Sequence, residues 1–66
     1  MIEERILEDM KTLREEAERT GIYYGFWNLL QDAEACVRGK RTILPPEKIE
    51  EKLRETITEI RKRAQH

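Results

Sequence analysis

The chain has 66 residues, of which 41% are charged and 38% hydrophobic, and these proportions fit one small domain. A chain this short buries only about 60% of the surface its unfolded form exposes, so its core is thin and every hydrophobic residue has a structural claim. It contains no Ser, one Cys (Cys36) and one His (His66), which excludes a serine triad, a Cys/His metal cluster and an internal disulfide.

Thirteen basic and fourteen acidic residues leave a net charge of −1, so no global field draws the chain to nucleic acid or an acidic membrane. No apolar run approaches the ~18 residues of a membrane span, and the N-terminus reads without a signal-peptide h-region. The expectation is a protein away from membranes, in a reducing cytoplasm given its single thiol. Many Glu, Lys and Arg beside one Asn and two Gln suit a thermophile or an engineered helical chain.

The first element is read as a helix over residues 2–20. Ile2, Ile6, Met10, Leu13 and Ala17 are spaced 4, 4, 3 and 4, and at 100° per residue they fall within an arc of about 80°. Leu7 alone lies well outside it. Thr20-Gly21 is a stop signal, because Gly readily takes the left-handed C-terminal conformation.

The second helix is read over residues 22–38. Phe26, Leu29, Leu30, Ala33, Cys36 and Val37 cluster with Ile22 around one direction. Tyr23 and Trp27 widen that face on one side and Gly25 on the other, giving an apolar arc of about 200°. So broad a face predicts that this helix is the central one. The short Thr20-Gly21 connection makes it an antiparallel neighbour of the first helix; the alternative is one long helix kinked at Gly21 that pairs with a second chain. Gly25 inside a helical pattern costs about 1 kcal/mol relative to Ala, and either a close helix–helix approach or a later helix start would explain it. Ile43 and Leu44, in the longer second connection, are expected to tuck onto the core.

The third helix is read over residues 46–64, with Ile49, Leu53, Ile57, Ile60 and Ala64 repeating the first stripe at a constant offset of 47 residues. This reads as convergence on one amphipathic solution rather than an internal repeat. Pro46 suits the first turn. Glu47, Glu50 and Glu51 oppose the positive end of the helix dipole, and Arg61, Lys62 and Arg63 the negative end. The predicted fold is therefore all-α: a small up-down-up three-helix bundle, one domain over 1–66, with the middle helix central and with seams narrow enough for self-association.

All four aromatic residues fall within five positions: Tyr23, Tyr24, Phe26 and Trp27. Phe26 points to the core. Tyr23 and Trp27 sit on its flank, and Tyr24 projects nearly opposite, with Asn28 and Gln31 nearby. Such residues either cover the open end of a small domain or line a pocket, or they form an interface, since Tyr and Trp supply large rigid contact area with a polar handle. Tyr24 discriminates, because core packing does not explain it. Tyr23, Tyr24, Trp27, Asn28 and Gln31 are the candidate protein-binding residues, the partner being another protein or a second copy.

The alternative is a small nucleic-acid-associated regulator using the basic turn Arg38, Lys40 and Arg41, whose plain reading is a dipole complement and a solvated turn. In an up-down-up bundle that turn and Arg61-Lys62-Arg63 lie at opposite ends, and the connection is longer than a helix-turn-helix turn. Cys36 reads as buried and inert, with no base or cation beside it. The Glu-rich faces lack a Glu-x-x-His pair and read as solvated. No enzyme, metal or cofactor is expected.

Overall fold

In the computed structural model, which describes residues 1–23 and 25–65, the chain forms α1 (Ile2–Thr20), α2 (Phe26–Val37) and α3 (Pro46–Ala64). The ends of α1 and α3 are those read from the sequence, because the signals that set them are local. Gly21 adopts φ 73° and its N–H donates to the Ala17 carbonyl at 2.8 Å. The Thr20 hydroxyl donates to the Glu16 carbonyl at 2.7 Å and accepts the Ile22 N–H at 3.2 Å. Pro45, in an extended conformation, offers its carbonyl to the N–H groups of Lys48 and Ile49, and Pro46 occupies the first turn, where its missing donor is no loss.

The second helix differs from expectation. It starts at Phe26, four residues after the expected Ile22, and ends at Val37 rather than Arg38. Gly25 breaks the run at φ 60° and ψ 14°, and the Phe26 N–H closes a turn on the Tyr23 carbonyl at 3.2 Å. Left-handed backbone carries no steric penalty at Gly, so the chain turns there while the apolar spacing continues through the break. At the far end Gly39 is left-handed (φ 76°). Its N–H bonds the Cys36 carbonyl at 3.1 Å and the Lys40 N–H bonds the Ala35 carbonyl at 2.9 Å, the paired bonds of a Schellman ending.

Among the described residues the core gathers thirteen that are buried: four from α1, five from α2 and four from α3. Ile6, Leu13, Ile49, Leu53 and Ile60 are the largest fully buried side chains. Ile2, Ile22, Val37 and Leu44 pack partly against this cluster. Ala64, the last position of the third stripe, is exposed at the helix end. Ile43 does not tuck onto the core but is fully exposed, since adjacent residues of a non-helical segment project to different sides and Leu44 takes the inward one. The helices pack on one another within the chain, so a single helix kinked at Gly21 does not describe it. The most extensive packing joins the two longer helices, α1 and α3, and the shorter α2 packs against both.

Ion pairs tie α1 to α3 along one edge. Arg5 Nε lies 2.8 Å from Glu50, Arg54 Nε lies 3.2 Å from Asp9, and Arg61 lies 3.6 Å from Glu16. The first two pairs share a separation of 45 residues, and Glu16 to Arg61 repeats it, as two helices running in the same direction require. Among the described residues no helix is long and apolar enough to cross a membrane.

Candidate protein-interaction surface

The left-handed turn at Gly25 leaves Tyr23 just outside α2 and Phe26 and Trp27 in its first turn. Phe26 is buried in the core, whereas Trp27 is 69% and Tyr23 46% exposed. The rings are nonetheless fixed to one another. Tyr23 meets Phe26 edge-on at a centroid distance of 5.2 Å, Phe26 meets Trp27 edge-on at 4.9 Å, and Tyr23 stacks parallel to Trp27 at 6.5 Å. Edge-to-face pairs at such distances add about 0.5–1.5 kcal/mol beyond area burial, so Phe26 anchors one half-exposed ring and one largely exposed ring.

These rings form one wall of a groove between α1 and α2, a cavity of about 390 Å³ also lined by Leu30 and Gln31 on α2 and by Arg14 and Glu18 on α1. Of the residues expected at a binding surface, the structure brings together Tyr23, Trp27 and Gln31. Asn28 is not among them. It faces the other side of α2, lining with Asp32, Leu44, Lys52 and Glu55 a depression of mixed polarity, about 540 Å³, against α3. Asn28 and Gln31 lie only about 60° apart on α2's outer face, but each stands nearer a different edge of that face, Asn28 toward α3 and Gln31 toward α1. Tyr24, the residue chosen to discriminate core from interface, lies outside the described residues.

Arg14 and Glu18 were missed by sequence reading, although a signal exists. At 100° per residue, Leu7, Arg14 and Glu18 fall within an arc of about 40°. The one apolar residue off the α1 stripe thus marks the flank facing the groove, and Leu7 is half-exposed there at 52%.

The basic turn is arranged differently. Arg38 donates to Glu34 at 3.0 Å, an i,i+4 pair that offsets its charge, and Lys40 and Arg41 are exposed. Cys36 is buried. Burial raises its thiol above the ordinary range, and the nearby charges of Glu3 and Glu47 push the same way, so the reactive thiolate is disfavoured. Among the described residues no group of three or more His, Cys, Asp or Glu side chains is placed to hold a metal ion.

No protein-family model, no curated protein and no solved structure matches this chain.

Proposed function

We propose that this chain is a small protein–protein interaction module, an up-down-up helical bundle that binds a polypeptide through the groove walled by Tyr23, Trp27 and Gln31. The observation that carries this reading is Trp27: a large aromatic ring, mostly exposed, yet held by ring contacts to Tyr23 and Phe26 at the mouth of an apolar groove. Core packing does not call for it. Binding energy concentrates in Trp, Tyr and Arg seated at pockets, and a side chain fixed before binding loses little freedom on binding. The role is binding rather than catalysis, and the unpaired thiol suits a reducing cytoplasm.

The test places the photo-crosslinking residue p-benzoylphenylalanine at Gln31 in the full chain, inside the cell that makes it, with the same residue at exposed Thr58 as control. A discrete cross-linked species from position 31, absent from position 58, is the expected outcome. Adding Trp27→Ala should abolish it while leaving the helical circular dichroism intact. No product from position 31, or the same products from both positions, refutes the reading.

A further inference from the structure

We propose that the groove's occupant is a second copy of this chain, docked about a two-fold axis that sets the two α1 helices antiparallel. This rests on the reading of the groove as a protein-binding surface.

The charges on the groove's rim favour that occupant. Arg5, Arg19, Arg38, Arg54, Arg61 and Arg63 each hold a carboxylate within the chain. Arg14 and Glu18, which flank Trp27 across the groove, make no ion pair among the described residues, and both are exposed. They stand four apart on α1 and so lie one turn apart on the same face. A two-fold axis passing between them brings Arg14 of each copy opposite the partner's Glu18. One symmetry rule then satisfies both charges twice, as an isologous interface requires. The same operation turns the two grooves toward each other, so that each Trp27 covers the other's cavity.

The rim also argues against other partners. Glu34 also lines the groove and is neutralised by Arg38 from outside it, which leaves Arg14 and Glu18 as one charge of each sign, so neither an acidic nor a basic segment meets a rim of opposite sign. A surface of balanced, alternating sign is complementary to itself. The contact must extend from the groove along the neighbouring faces of α1 and α2, because a stable interface takes about 800 Å² from each partner. That is roughly one-sixth of the chain's 4836 Å² of accessible surface, on a molecule 37 Å long and 20 Å wide.

The experiment follows molar mass of the full chain by sedimentation and light scattering over a dilution series. The wild-type chain should pass from dimer to monomer on dilution. Arg14→Glu and Glu18→Arg each oppose like charges across the axis and should raise the dimer dissociation constant about tenfold or more. An equimolar mixture of the two variants should recover the dimer, and so should the double variant Arg14→Glu/Glu18→Arg in one chain. Circular dichroism checks that each variant keeps its helices. Single variants that dimerise like wild type overturn the proposal, and so does a mixture that stays monomeric. A wild-type chain that is monomeric throughout, yet cross-links to a different polypeptide from position 31, overturns the second copy alone. Monomer with no cross-link overturns the binding surface as well.

Discussion

Gly25→Ala separates the observed start of α2 from a helix running continuously from residue 22 by the sign of its effect on stability. A Cβ built at Gly25 meets no atom within 4 Å, so the substitution adds no clash and only the backbone conformation matters. An L-residue held in the left-handed region costs roughly 1–2 kcal/mol. Ala also restricts the unfolded chain, which offsets about 0.4–1 kcal/mol of that cost. The net expectation is a loss of about 1 kcal/mol. In the interior of a continuous helix the same change would instead gain about 0.8–1 kcal/mol. For a domain of this size 1 kcal/mol moves Tm by about 4–8 °C, so the two starts lead to clearly separated melting curves. Thermal and urea unfolding, followed by circular dichroism at one protein concentration, read the difference. Gly25→Asn should fall between Gly and Ala, because Asn tolerates the left-handed region. An Ala variant as stable as wild type, or more so, refutes the turn at Gly25, and with it the placement of Tyr23 against Trp27.

The acid limb of stability should depend on Glu16. Its hydrogen bond from Arg19, with the charges of Arg19 and Arg61, holds its carboxyl below the ordinary range against a smaller opposing effect of burial. A depressed folded pKa contributes stability above the unfolded value of about 4.3 and loses it as pH falls through the folded value. Glu16→Gln should therefore flatten the fall in urea midpoint at acid pH, and an unchanged slope would contradict the assignment. Cys36, whose thiol is raised by burial, should be alkylated by iodoacetamide far more slowly in the folded chain than in urea. Equal rates would show that the thiol is open to solvent.

The outer helices were legible because each carries one apolar stripe bounded by local stop and start signals, Gly21 for α1 and Pro46 for α3. The stripes superpose at 47 residues while the ion pairs join positions 45 apart. The first offset reports equivalent positions on two similar helices, and the second reports which positions meet; only packing supplies the second. The start of α2 was illegible for a different reason. Ile22 and Phe26 keep helical spacing across Gly25, and a pattern of residue types does not reveal the sign of φ at one glycine. The breadth of the middle apolar face has a local source: it is widened by Tyr23 and Trp27, which stay 46% and 69% exposed. The candidate site was half legible. Its aromatic cluster is visible in composition, but the division of Asn28 from Gln31 and the contribution of Arg14 and Glu18 depend on which helix stands on each side of α2.

The ion pairs between α1 and α3 are exposed on their basic side, and pairs of that kind contribute little to stability. Their arrangement does more by discouraging sliding. If α3 slid one turn along α1 in one direction, Arg5 would stand opposite Arg54; in the other, Asp9 would stand opposite Glu50. Either displacement exchanges attraction for repulsion, although the apolar stripes, with their repeated spacing of four, would mesh nearly as well after the slip. Two smooth and nearly interchangeable seams would otherwise leave a chain of this size with several alignments of similar energy. Arg5, Asp9, Glu50 and Arg54 act as a vernier that selects one of them.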